Sequence, residues 1–351
     1  MSPRSPLAIA LVLGLLWPAA ADAQARRYPG NGRNSLLFQS FFLGNVPMTI
    51  AAGHVVPTGR WQFGTWGHKM EGESSKEELQ FLGNGVSGSV HYQRTTAEEH
   101  FVVELSSDGR FLLRHTPKGK AKGSPIELNQ VPGAQITFTV GAGPQQTVYR
   151  APTLWHLILL EPKACGEHLT PLLQPFPWSS QLTQIMTSLE AELVRLAGIG
   201  KIPSREQWAV MVRQLADNDY AKREAADRGL RGGGPAAASY LQQLDYAAMD
   251  AEQQFRIDRI IESFRGQTAS DTTEQVAAML AADPLVWLAL LDRPQEATRR
   301  AAAKELAALL GESIAVDPAA DPATQKERRE QLRAKLERSK PETKPAAKAA
   351  G

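Results

Sequence analysis

Residues 82–90 read LGNGVSGSV, and Gly83, Gly85, Gly88 and Val90 have the G-x-G-x-x-G-x-V spacing of a loop that covers nucleotide phosphates. Two nucleotide readings have to be tested against the flanking residues. A dinucleotide-binding turn leads from a strand into a helix, whose N-terminus holds the pyrophosphate. Here the glycines lead into Ser89-Val90-His91-Tyr92-Gln93, an alternating run rich in strand formers. A kinase loop needs a phosphate-binding lysine on the next strand. The next strand-like run, Phe101-Val102-Val103-Glu104-Leu105, carries Glu104, and the first lysine after Gly88 is Lys118. Neither H-R-D nor D-F-G occurs in the chain. What remains is a β-hairpin, with Asn84-Gly85 supplying the positive φ angles of a type I′ turn between Leu79-Gln80-Phe81-Leu82 and the Val90 strand. The glycines then serve the turn, and no cofactor is expected.

The same grammar extends from Trp61 to about Arg150. Phe101, Val103 and Leu105 alternate, Asp108-Gly109 turns the chain, and Phe111 and Leu113 return. Ile136, Phe138 and Val140 alternate with Gln135, Thr137 and Thr139. Runs of this kind predict an antiparallel β-sandwich or small barrel over residues 59–150, after a partly irregular lead-in at 24–58. The basic tip Lys118-Gly119-Lys120-Ala121-Lys122-Gly123 reads as a solvated turn rather than an anion site.

After Arg150 the β-branched residues thin out and Ala, Leu, Glu, Gln and Arg take over. Short helices are expected at Leu154–Leu160 and His168–Leu173, followed by a Pro-rich boundary at Pro171, Pro175 and Pro177 that closes a segment spanning 151–178. A helical domain is expected over 179–311. Leu182, Ile185, Met186, Leu189, Leu193 and Leu196 form one apolar stripe that stops at Gly198-Ile199-Gly200. Capping boxes are read at Ser204/Gln207, Asp250/Gln253 and Asp271/Glu274, and Asp283-Pro284 opens a further helix. The inner faces are Trp208, Met211, Val212 and Leu215, then Ile257, Ile260, Ile261 and Phe264, then Val276, Met279 and Leu280, then Trp287, Leu288 and Leu291.

Within this half, Leu215, Ala221, Arg223, Ala225, Ala226 and Leu230 recur at Leu291, Ala297, Arg299, Ala301, Ala302 and Leu306, a constant shift of 76. That is about two units of the roughly 40 residues typical of paired-helix repeats. The stretches LADNDYAKREAADRGL (215–230) and LDRPQEATRRAAAKEL (291–306) resemble HEAT-like repeats, with a degenerate unit between them. The resemblance implies a helical array with an extended surface suited to a protein partner, and a scaffold rather than an enzyme. In the β half, Gly59-Arg60-Trp61, Gly64-Thr65-Trp66 and Ser107-Asp108-Gly109-Arg110-Phe111 loosely resemble small lipocalin-like barrels, which implies an apolar-ligand binder as the alternative. The fold class expected overall is α+β, in two domains.

The N-terminus has Arg4, an apolar run from Leu7 to Trp17, and Ala21-Asp22-Ala23. These are the parts of a signal peptide over 1–23, with cleavage near Ala23 and export to a periplasmic or extracellular compartment. The formal charge is +2 over 351 residues, and 42% of the chain is hydrophobic, enough for two ordinary cores. A basic surplus lies between Lys326 and Gly351, so the remaining body is slightly acidic, which argues against nucleic acid as a partner. Residues 312–351 read as a linker and basic tail, with a helix over Lys326–Leu336 and disorder from Lys340. That tail suits either weak electrostatic contact with an anionic envelope surface or solubility alone. Cys165 is the only cysteine, which excludes an intramolecular disulfide. Its C-x-x-H spacing to His168 lacks the further ligands or activating base that a metal site or thiolate nucleophile needs, so neither a metal nor a catalytic set is expected. Gly85-Val86-Ser87-Gly88 lacks the last glycine of a nucleophile elbow. Glu190 and Glu192 read as solvated helix-face residues rather than an acid/base pair.

Overall fold

The computed structural model describes residues 48–58, 63–72, 75–85, 87–119, 123–132, 134–199, 205–241, 244, 249–265, 271–314, 316–317, 319–320 and 326–338. The expected signal segment, Ser204 of the first expected cap, the middle of the basic loop at 120–122 and the end of the tail at 339–351 lie outside the described residues.

The chain is α+β, an antiparallel sheet region followed by a helical one. Two strands, β1 (Met48–Ala51) and β2 (His54–Pro57), form a short ribbon. Eight more follow as an up-and-down meander in which each strand pairs with the next: β3 (Phe63–Glu71), β4 (Ser75–Asn84), β5 (Gly88–Thr96), β6 (Glu99–Ser106), β7 (Phe111–Pro117), β8 (Ile126–Gln130), β9 (Ile136–Val140) and β10 (Thr147–Ala151). Residues 82–90 form the β4–β5 hairpin, with Gly83 opposite Gly88. The turn is shifted one residue from the expected position. Asn84 closes it, its amide donating to the Ser87 carbonyl (2.9 Å) and its side-chain oxygen accepting from the Ser87 amide (2.7 Å). Gly85, with φ of 86°, therefore occupies the first central position, where the hairpin turns of types I′ and II′ both need a positive φ.

The sheet does not close. Among the described residues β3 pairs only with β4 and β10 only with β9, so the small-barrel expectation and the closed lipocalin-like interior it implied are corrected. The reason lies in what covers the inner face. Phe81, Val90, Leu105 and Phe111 form one buried row across the strands, and Leu79, Tyr92, Val103, Leu113, Leu128 and Phe138 form the next. These rows join one continuous core with helical residues, so the sheet buries its face without curling upon itself.

The helices are α1 (Leu154–Leu160), α2 (Ser179–Ile199), α3 (Arg205–Gln214), α4 (Tyr220–Gly232), α5 (Gly234–Leu241), α6 (Ala251–Arg265), α7 (Thr273–Leu280), α8 (Pro284–Leu290), α9 (Glu296–Leu310) and α10 (Lys326–Arg338). Between α1 and α2, residues 162–173 make short helical turns. The sheet core continues through α1, α2, α7, α8 and α9, with Trp155 and Trp287 fully buried. A second core, built on Trp208, Leu215, Leu230, Leu241, Ile257 and Ile260, belongs mainly to α3–α6. The expected stripe on α2 is inward: Leu182, Ile185, Leu189 and Leu193 are buried. The basic helix α10 docks through buried Leu336 and an Arg329–Asp292 ion pair (2.6 Å).

Two buried side chains seat the β1–β2 ribbon. The Gln130 amide pairs with both backbone groups of Val55, accepting from its N–H (2.9 Å) and donating to its carbonyl (2.8 Å). At the other end Ala52 and Gly53 both have positive φ, 49° and 73°. The Asp271 carboxylate accepts from the Ala52 amide (2.7 Å), the Gly53 amide (2.8 Å) and Trp155 Nε1–H (2.6 Å). This overturns the expected Asp271/Glu274 box. Asp271 turns inward to three donors, and α7 is capped instead by a box between Thr272 and Gln275. The Asp250/Gln253 box is present, with the Gln253 amide donating to Asp250 (2.7 Å), and Asp283 caps α8 by accepting from the Leu285 amide (2.8 Å).

Candidate functional site

The twelve repeat positions fall on two corners, α3 into α4 and α8 into α9. In the first, Leu215, Ala226 and Leu230 are buried, and in the second Leu291, Ala302 and Leu306 are. Ala221 and Ala297 are both exposed, Ala225 is exposed and Ala301 half-buried. Arginine is placed alike in both. Arg223 Nη1 donates to the carbonyls of Asp217 (2.7 Å) and Asn218 (3.1 Å), six and five residues back. Arg299 Nη1 donates to those of Arg293 (3.0 Å) and Pro294 (2.6 Å), also six and five residues back. A fixed cation here satisfies carbonyls left over where the preceding helix ends. The corners differ at the cap, since Asp219 accepts from the Ala221 amide whereas Gln295 makes no side-chain cap.

Around the first corner, α3 touches α4 and α5, α4 touches α5 and α6, and α5 touches α6. Helices α4 and α6 meet through an ion pair between Glu224 and Arg256 (2.9 Å), and Arg256 also holds Glu252 (2.6 Å). The same two helices carry two exposed aromatics, Tyr220 (63% exposed) on α4 and Phe255 (57%) on α6. Each is covered by an arginine on its own helix, Arg223 lying 5.5 Å from the Tyr220 ring centre and Arg259 lying 5.7 Å from that of Phe255. Tyrosine, phenylalanine and arginine are the side chains enriched at protein interfaces. Phe255 lies on the face of α6 opposite the buried Ile257 stripe.

Elsewhere the titratable groups serve the fold. Cys165 is buried, its thiol meeting the Leu157 carbonyl, and burial pushes it well above the ordinary thiol range. His168 is only near Glu167 (3.9 Å), so the C-x-x-H spacing assembles nothing. Thr153, His156 and Asp283 lie together, with Thr153 Oγ1 2.8 Å from His156 Nδ1 and His156 Nε2 3.5 Å from Asp283, but at 0%, 0% and 5% exposure no substrate can reach them. On the sheet, Glu99 binds Arg94 (2.5 Å) and His115 Nε2 (3.0 Å), and the hydrogen bond from His115, aided by the Arg94 charge, holds its carboxyl below the ordinary range. Glu190, expected to be solvated, instead binds Arg293 (2.5 Å), which also donates to the Leu159 carbonyl. Among the described residues no group of His, Cys, Asp and Glu could hold a metal, and no helix is long and apolar enough to cross a membrane. Compared with protein families, curated proteins and solved structures, the chain matches none.

Proposed function

We propose that this is an exported, non-enzymatic interaction protein whose helical half is a HEAT-like array serving as the scaffold for a protein partner. The observation that carries the reading is the pair of arginine corners: the same guanidinium-to-carbonyl contacts recur after a shift of 76 residues, as expected when one helical-pair unit is reused. The chain of neighbour contacts through α3, α4, α5 and α6 supports it. Export rests on the Arg4, Leu7–Trp17 and Ala21-Asp22-Ala23 pattern, and α10 with the basic residues beyond it supplies weak contact with an anionic envelope surface.

Leu230 tests the reading, because it is fully buried in the second core and not in the one beneath the sheet. In the full-length protein, Leu230→Asp buries a charge and costs several kcal/mol within α3–α6. Partner capture from the exported fraction should be lost together with helical cooperativity, while the near-ultraviolet signal of Trp155 and Trp287 persists. Retention of the whole partner set by a variant whose α3–α6 region has melted refutes the proposal.

A further inference from the structure

The backbone of β3 forms an edge that the sheet leaves open, and two turns fix which way its peptide groups point. In the β3–β4 turn the Gly72 amide donates to the Ser75 carbonyl (2.8 Å), and in the β4–β5 turn the Asn84 amide donates to the Ser87 carbonyl (2.9 Å). Hydrogen-bonded pairs alternate along an antiparallel ladder, and both turns lead to the same parity. Odd residues of β4 bond to β3 and even ones to β5, so the N–H and C=O groups of Gly64, Trp66, His68 and Met70 are used within the sheet. Those of Phe63, Thr65, Gly67, Lys69 and Glu71 point out along the edge, and among the described residues no other strand pairs with β3. Such an edge is ordinarily blunted by shortness, proline, a bulge or a guarding lysine. β3 has nine residues and no proline, and its register with β4 runs from Phe63 to Glu71 without a bulge. Lys69 is drawn back onto Glu78 of β4 (3.1 Å). Thr65, Gly67, Lys69 and Glu71 are exposed, as is His68 on the other face, so a further strand can approach from the side.

We propose that the β3 edge pairs antiparallel with the β3 edge of a second copy, joining two eight-stranded sheets into one about a twofold axis at Gly67. The distribution of charge along the edge selects this occupant and this register. The outward row carries its two charges, Lys69 and Glu71, at one end and none at Phe63, Thr65 or Gly67. Full antiparallel overlap sets Thr65 of one copy opposite Lys69 of the other and Phe63 opposite Glu71, with Gly67 facing Gly67, so no like charges meet. A register centred on Lys69 or on Glu71 would oppose like charges across the axis. The other open edge, β10, presents five residues against the nine of β3, so head-to-tail pairing would satisfy fewer backbone groups. The inference concerns the sheet alone and is independent of the scaffold reading.

The test is sedimentation of the full chain over a concentration series, where a reversible rise from one chain mass to two is expected. Gly67→Pro removes an outward N–H and sets a ring on the edge, a change that an edge strand tolerates when that N–H faces away from its own sheet. It should weaken the dimer at least tenfold, with an unchanged melting curve at a concentration where both proteins are monomeric. Cross-linking reads the register and does not depend on the proline variant, since the only native cysteine, Cys165, is buried. Thr65→Cys mixed with Lys69→Cys should join through a short bismaleimide, and neither should join to itself, because equal positions then lie about 14 Å apart. A monomer at every concentration, or a dimer unmoved by a folded Gly67→Pro, overturns the proposal. Mass that grows without limit overturns it in favour of β3 pairing head-to-tail with β10 of the next copy. Slow hydrogen exchange at the Thr65, Gly67 and Lys69 amides in the monomer overturns it in favour of the chain's own residues covering the edge.

Discussion

Replacing Asp271 with alanine would leave three donors without an acceptor: the buried Gly53 amide and Trp155 indole N–H, and the partly buried Ala52 amide. An unsatisfied buried donor costs about 1–3 kcal/mol. The sum is reduced because burial holds the Asp271 carboxyl above its ordinary range against those same bonds, so removing the group also removes a desolvated charge. A net loss of roughly 3–6 kcal/mol is expected, a large part of the total for a domain. Asparagine separates the hydrogen bonds from the charge. Its oxygen can keep the position that accepts from both Gly53 and Trp155, but its amide then faces the Ala52 N–H, so the loss should be smaller, about 1–3 kcal/mol. Urea unfolding gives the two differences, and hydrogen exchange at the Ala52 and Gly53 amides localises them. Alanine costing no more than asparagine, or both amides remaining protected in the alanine variant, would refute the role assigned to the carboxylate.

Two further predictions follow from other buried contacts. Arg299→Met should lower the urea midpoint by the equivalent of about 1.5–3 kcal/mol, the usual range for charge-assisted hydrogen bonds, and Arg223→Met by less, since Arg299 is 7% exposed and Arg223 is half-buried. An opposite order contradicts the equivalence drawn between the corners. Glu99→Gln should cost about 1–3 kcal/mol at neutral pH. Because the folded carboxyl titrates below its ordinary value of 4.5, the folded state binds fewer protons than the unfolded one, so the contribution is full above 4.5 and is lost as pH falls through the lower folded value. The gap between wild type and variant in a pH series should close on that acid side, and a gap independent of pH counts against the ion pair.

Local signals were the legible ones. Alternation found the strands, and Asn84-Gly85 found the hairpin, although only the pairing of Gly83 with Gly88 decides which residues occupy the turn. Capping chemistry at Asp250 and Asp283 could be read because donor and acceptor are neighbours in sequence. Asp271 carries the same local signature as those two, and it was misread because the donors that claim it come from a distant ribbon. Closure of the sheet was illegible for a related reason. An alternating strand buries one face whether a barrel interior or a helix covers it, and nothing in Phe81 or Leu113 says which. The helix corners were half visible: arginine recurrence pointed to them, but the pairing of Glu224 with Arg256 that joins α4 to α6 has no sequence signature.

The Asp271 clasp also sets a clock. The Ala52 amide waits for an acceptor 219 residues downstream, so the ribbon, which Gln130 can hold at Val55 much earlier, stays unfastened at its turn until the chain has been made past α6. At about 5–20 residues per second that interval is on the order of ten to forty seconds. Throughout it the ribbon's turn lacks the Asp271 bonds, and the apolar residues it covers are less well protected from other chains. A chain cut short before Asp271 would therefore leave a defect at the opposite end of its sequence, and chaperone demand during synthesis should fall only once residue 271 has been added.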